Sequence, residues 1–307
     1  MSLHSLLSVT IGVPNVGETA AYYADFGLTP ADDGWFSTAD AGRQLRLLPS
    51  PVRRLLELRV GADDADDLAR ATAGLAALGV ASEQNGTSLS TTEPVTGTRV
   101  VLDVAPRTRQ GAIPATPYNG PGRLDRPDTR APGFTRPDRV RPRKLGHAVL
   151  GSTDYAASTA FFTEGLGFKV SDRIRGVGAF MRCSTDHHNV LVQQAPVRYL
   201  HHTSWQVDNV DEIGRGATDM LAKDPNRHVW GLGRHFVGSN YFWYLRDPAG
   251  NFSEYYSDID CIVDDQLWTP GVWEGDAGLY KWGPPPPPSF LAPEDLAGLM
   301  AGAHGSE

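Results

Sequence analysis

The sequence predicts an α+β fold of paired βαβββ modules, their sheets curved into open barrels, and three observations carry this. Residues 5–28, SLLSVTIGVPNVGETAAYYADFGL, and 144–168, KLGHAVLGSTDYAASTAFFTEGLGF, share one pattern: an apolar strand, a polar cap, an Ala-rich helix with two adjacent aromatics, then Gly. A second echo matches LLELRVGADDADDLARATAGLAALG (55–79) with LHHTSWQVDNVDEIGRGATDML (200–221), each a strand, an acidic helix start and an amphipathic helix. The third observation is YFWYLRDPAGNFSEYY (241–256), two apolar strands around a tight turn at 247–251.

Taken in order, residues 1–104 form the first half. Its cluster of Asp63, Asp64, Asp66 and Asp67 suits a helix N-terminus, where the helix dipole favours negative charge. Residues 105–143 form a linker; 105 to 144 hold eight prolines and ten Arg or Lys against three Asp, with little apolar periodicity. Scattered between prolines, these basic residues are expected to clamp the linker to an acidic surface, the other reading being a grip on an anionic partner. Residues 144–260 form the second half. Residues 261–307 form a Pro-rich tail in which GPPPPPSF (283–290) reads as a polyproline II arm and PEDLAGLM as a short helix.

With 307 residues the chain buries a sizeable core, and 40% hydrophobic with 21% charged residues describe an ordinary globular composition. A net charge of -8 argues against a nucleic-acid partner. Two cysteines, Cys183 and Cys261, make neither a disulfide framework nor a CxxC motif, so a cytoplasmic protein is expected. No apolar run approaches the roughly 20 residues that span a bilayer, and the start lacks a basic segment and a cleavage site.

Glu254 raises a question of its own, because a carboxylate in so apolar a hairpin is costly to bury without a cation or hydrogen-bond donor beside it. His147 in KLGHAVL and His202 in YLHHTSWQV also fall on predicted strands. Two neutral imidazoles and one carboxylate make a facial triad that leaves coordination positions open, as non-haem Fe(II) oxygenases require. Zn²⁺ and Mn²⁺ accept the same donors, so ligand type alone leaves the metal open.

Five segments then carry a resemblance: LGHAVL, HHNVLV, LHHTSWQVDNVDEIG, GLGRH and YFWYLRDPAGNFSEYY. In order and interval, residues 144–260 resemble the catalytic module of type I extradiol ring-cleaving (catechol 2,3-dioxygenase-like) dioxygenases of the vicinal oxygen chelate superfamily. The resemblance implies metal ligands at His147, His202 and Glu254, holding Fe(II), with Mn(II) as the alternative. It places the ligand at the second histidine of HHTSW, with His201 directed to the opposite face. It matches His188 to the family's acid/base histidine, Tyr244 to its active-site tyrosine and His235 to its outer histidine.

The implied partners are a catechol-type substrate and O₂, with no membrane, in a homo-oligomer. Trp205, Phe242, Trp243 and Tyr256 are aromatic neighbours of this region, only part of which strand alternation sends inward. Aligning the two halves puts Ser8 opposite His147 and Leu55 opposite His202, so the first half is expected to be metal-free. Two other readings of the same fold are a metal-dependent isomerase or lyase, which would draw ligands from both halves, and a non-catalytic aromatic-binding or resistance protein, which needs no triad.

Overall fold

The computed structural model describes residues 3–275 and 278–304. The first half runs β1 (Leu3–Val13), α1 (Val16–Asp25), β2 (Thr29–Pro30), β3 (Trp35–Thr38) and β4 (Gly42–Pro49). It continues with β5 (Arg54–Ala62), α2 (Ala65–Ala77), β6 (Ser82–Asn85), β7 (Ser88–Thr92) and β8 (Arg99–Val104). After α3 (Pro132–Thr135) the plan returns: β9 (Leu145–Ser152), α4 (Tyr155–Ala160) with a wider helical turn over Phe161–Gly165, β10 (Lys169–Ile174), β11 (Gly178–Arg182) and β12 (Val190–Gln194). Then come β13 (Tyr199–Gln206), α5 (Val210–Lys223), β14 (His228–Arg234), β15 (Tyr241–Arg246) and β16 (Phe252–Ser257). The βαβββ unit thus occurs as one pair in each half.

Each pair makes one sheet. The first has the order β2-β3-β4-β1-β5-β8-β7-β6, and the second β14-β15-β16-β13-β9-β12-β11-β10, extended at its edge by β17 (Gly271–Trp273). In both, the first strands of the two units pair antiparallel at the centre, β1 with β5 and β9 with β13. Each central strand then pairs in parallel with the last strand of its own unit, as β13 does with β16. The pseudosymmetric centre of the second sheet therefore brings β9, β13 and β16 side by side.

Helices join the halves. Tyr22 of α1 hydrogen-bonds Ser253 of β16, and the Phe26 and Tyr255 rings stack with centroids 3.8 Å apart. Trp205 is fully buried on this side of the sheet, 6.5 Å from the Tyr23 ring, so it serves the shared core. The acidic cluster is a helix cap: Asp64 and Asp67 form a capping box on α2. The linker arginines pair with acidic groups on both halves, Arg107 with Asp63, Arg136 with Asp208 and Glu212, and Arg143 with Asp40 and Asp208.

The tail does more than make an arm. Beyond β17 it returns over the second sheet, and α6 (Pro288–Leu291) buries Phe290 before α7 (Leu296–His304). Both cysteines are free, Cys183 buried and Cys261 exposed. No helix among the described residues is long and apolar enough to cross a membrane.

Candidate metal centre

Alternation along the three central strands sets the site. His147 on β9 and Val149 face into the curve of the second sheet while Ala148 faces the core between the halves. In the hairpin, Tyr244 pairs directly with Glu254, so both point inward, as do Phe242 and Tyr256 two residues along each strand. Trp243, on the opposite face of β15, stacks edge-on with His228.

His147, His202 and Glu254 converge. Glu254 Oε2 lies 3.0 Å from His147 Nε2 and 3.6 Å from His202 Nε2, and the two Nε2 atoms are 3.3 Å apart. A point about 2.1 Å from all three atoms, the length of a metal–nitrogen or metal–oxygen bond, lies just off the plane of this triangle. All three side chains are buried. Asn240 Nδ2 donates to Glu254 Oε1 at 3.1 Å, whereas Oε2 is buried with no hydrogen-bond partner. An orphaned carboxylate oxygen facing two imidazole nitrogens fits a divalent cation, and the donor set suits Fe, Mn or Zn.

The protonation states agree. Burial, and then the adjacent His201, keep His202 neutral, well below the usual imidazole range. Burial alone would raise Glu254, but the adjacent His147 above all holds its carboxyl well below the usual carboxylate range. A neutral imidazole at His202 and an ionised carboxylate at Glu254 are forms that bind metal.

His201 departs from the sequence reading. It does not point to the opposite face: a bulge between Leu200 and His202 in the pairing of β13 with β9 puts both rings on the cavity side. His201 Nε2 lies 2.6 Å from the Phe290 carbonyl and its Nδ1 lies 2.7 Å from His202 Nδ1. Because a carbonyl only accepts, His201 carries its proton on Nε2 and accepts at Nδ1 from His202. That leaves His202 Nε2 bare toward Glu254, the tautomer a ligand needs. His147 Nδ1, in contrast, is buried without a partner.

Around the triad, the His188 ring lies 4.2 Å from that of His147, and burial with the surrounding histidines lowers its basicity well below the usual range. Tyr244 Oη and His235 Nε2 are 2.9 Å apart, and His235 Nδ1 lies 2.6 Å from the Leu279 carbonyl. By the same logic His235 donates from Nδ1 and accepts from the Tyr244 hydroxyl. Burial and the Glu254 charge push the Tyr244 phenol well above its ordinary value, so it keeps that proton.

Gln193 aside, the remaining wall is apolar, from Val149, Ile174, Phe180, Leu191, Val237 and Phe290. No Arg or Lys is among the described lining residues. In the first half, Ser8 and Leu55 are buried on β1 and β5 and offer no such donor set. The sequence reading missed Asn240, the place of His201 and the tail residues Leu279, Phe290 and Leu291; only the HH doublet carried a signal.

Residues 144–255 match the family described as the Glyoxalase/Bleomycin resistance protein/Dioxygenase superfamily. Metapyrocatechase 2 of Cupriavidus necator is 41% identical over 155 residues, which are 50% of this chain and 48% of that protein. The manganese-dependent 2,3-dihydroxybiphenyl 1,2-dioxygenase of Geobacillus genomosp. 3 is 29% identical over 157 residues, 47% of this chain and 50% of the relative. The chain thus spans about half the length of these curated relatives. Among solved structures, the Mn(II)-bound glyoxalase from Novosphingobium aromaticivorans shares the fold, with a TM-score of 0.75 at 25% identity over 94% of each chain.

Proposed function

We propose that the protein is an extradiol dioxygenase, opening a catechol-type ring with O₂ at one non-haem Fe(II) per chain, with Mn(II) as the other metal the site accepts. The observation that carries this reading is the convergence of His147, His202 and Glu254 at the floor of an apolar cavity walled by His188 and Tyr244. A metapyrocatechase and a dihydroxybiphenyl dioxygenase among the relatives support it.

The three ligands would hold the ion, which when bound supplies Lewis acidity and redox chemistry toward a vicinal diol and O₂. Tyr244, whose hydroxyl donates its hydrogen bond to His235, presents oxygen lone pairs that accept from a substrate hydroxyl and orient the diol. His188 takes a proton at Nε2 from the other hydroxyl and returns it as the oxygen–oxygen bond is cleaved. The apolar wall excludes water from these transfers.

The wall also selects. An ionised carboxylate on the ring would enter without a cation to pair with, which is costly, so the substrate carries a neutral, apolar ring substituent. The cavity measures about 50 Å³, whereas a site that takes benzene needs about 150 Å³. Phe290 and Leu291 of the tail form part of the cavity wall, and in this reading they yield to admit substrate.

In this reading residues 1–104 are a metal-free scaffold, 144–260 hold the chemistry, 105–143 tie the halves together and 261–307 close the cavity. A homo-oligomer belongs to the same reading, and exposed Phe134, Val263 and Leu267 offer apolar surface for it.

Anaerobic reconstitution with Fe(II) or Mn(II), followed by oxygen uptake on a panel of alkyl-, aryl- and carboxyl-substituted catechols, tests the proposal. One ion per chain and uptake with the apolar diols are expected, with Glu254→Ala losing the metal and Glu57→Ala keeping it. Two tightly bound ions per chain, or no uptake by fully loaded protein, would contradict it.

A further inference from the structure

His187 precedes the acid/base candidate, is fully buried and takes no part in the triad. Its Nε2 lies 2.9 Å from Asp172 Oδ2 and its Nδ1 lies 3.1 Å from His188 Nδ1. Asp172, on β10, is buried too, and its other oxygen, Oδ1, accepts from Gly271 N at 2.5 Å and Trp273 Nε1 at 3.2 Å, both on β17. The edge strand contributed by the tail therefore fixes which carboxylate oxygen faces His187.

The proton positions follow from the donor inventory. An ionised carboxylate only accepts, so His187 donates to it from Nε2. A neutral imidazole protonated at Nε2 is bare at Nδ1. The contact between the two Nδ1 atoms is then a hydrogen bond in which His188 donates. His188, protonated at Nδ1, keeps a bare Nε2 on the ring edge directed away from His187, and the residue lines the cavity.

We propose that Asp172 and His187 are positioning residues that fix the tautomer and orientation of His188, so that it meets a substrate hydroxyl as an acceptor. Packing holds the relay still. The His187 ring meets Trp268 edge-on at 5.3 Å, the His188 ring meets Phe180 edge-on at 5.1 Å, and His187 N donates to the Asp260 carbonyl at 2.8 Å. The same device recurs at the second HH doublet, where a backbone carbonyl rather than a carboxylate sets the tautomer of His202. The consequence for turnover rests on the dioxygenase reading; the tautomer does not.

Asp172→Asn isolates the effect. Gly271 N and Trp273 Nε1 both donate, so the Asn oxygen stays on them and its NH₂ turns to His187, where it donates instead of accepting. His187 must then carry its proton on Nδ1, and His188 becomes protonated at Nε2. Long-range ¹H–¹⁵N spectra of the full chain labelled at its nine histidines, metal-free and Zn(II)-loaded, read these states without turnover.

The expected result is Nε2–H on His187 and Nδ1–H on His188 in the wild type, both reversed in Asp172→Asn. Melting temperature and metal content should be kept. In the Fe(II) enzyme kcat should fall at least about tenfold, toward the 10²–10⁴-fold that acid–base groups contribute, with KM little changed. His187→Phe, which keeps the aromatic contact with Trp268, should lose kcat similarly. Nε2–H on His188 in the wild type, unchanged tautomers in Asp172→Asn, or reversed tautomers with unaltered kcat would overturn the proposal. A protein showing the expected tautomers but consuming no oxygen with any diol would sink the dioxygenase reading and leave the relay standing.

Discussion

His201 and His202 face each other through Nδ1 atoms 2.7 Å apart, although they are successive residues of one strand. The bulge in β13 makes this possible, and the Phe290 carbonyl at the far side of His201 gives the pair its direction. A residue from the tail thereby determines which nitrogen of His202, a proposed metal ligand, is bare.

His201→Phe keeps a ring in place but removes the acceptor for His202 Nδ1–H. Metal affinity is expected to fall about 10–100-fold, the usual cost of losing an outer partner of a ligand. Competition titration against a chelator measures it, and wild-type affinity in the variant would show that His202 needs no such partner.

Gly146, beside His147, leaves room for Tyr256: a Cβ there would lie 2.2 Å from Tyr256 Oη and 2.4 Å from Cε1. Gly146→Ala must push the tyrosine or the strand away. A loss of about 1–3 kcal/mol in urea unfolding is expected, typical of overpacking, together with weaker metal binding. Unchanged stability and affinity would mean that the ring has another place to go.

Phe290 packs within 4.7 Å of the Tyr244 ring and 4.8 Å of the His201 ring. Phe290→Ala opens the cavity, and kcat/KM for an aryl-substituted catechol relative to catechol should rise about tenfold, the scale on which pocket volume discriminates. Steady-state kinetics on the two diols decide, and an unchanged ratio would show that the tail does not limit entry.

Arg143 binds Asp208 at 2.6 Å and Asp40 at 3.4 Å, one acid from each half. Burial opposes ionisation of Asp208, but Arg143 and Arg136 overcome it and lower its pKa. A carboxyl lowered in the folded state contributes stability above its unfolded pKa of about 3.9, lost as pH falls through the lower folded value. Arg143→Ala should therefore cost on the order of 1–2 kcal/mol at pH 7, and the difference from wild type should shrink below about pH 4. A deficit that persists undiminished to lower pH would place the contribution elsewhere.

Local sequence made some of this architecture legible. The echo of 5–28 in 144–168 exposed the repeat because strand periodicity and the paired aromatics are local signals. The resemblance pointed to His147, Glu254 and Tyr244, which lie on regular strands where alternation fixes the face each occupies. His201 could not be placed this way, since the bulge that turns it inward arises from pairing with β9. Phe290 was equally hidden: its carbonyl meets a histidine 89 residues away, and nothing in a proline-rich tail announces that contact. Asp172 lies on an edge strand whose partner, β17, comes from the same tail.

The position of ring opening tests the central claim most directly. Fe(II)-loaded protein supplied with ¹⁸O₂ and an alkyl- or aryl-catechol should yield a yellow hydroxy-semialdehyde or hydroxy-ketone carrying both oxygen atoms before exchange with water, as read by mass spectrometry and visible absorption. A colourless muconate-type diacid, formed by cleavage between the hydroxyls, or a bound diol with no oxygen consumed, would contradict the assignment of His147, His202 and Glu254 to an extradiol centre.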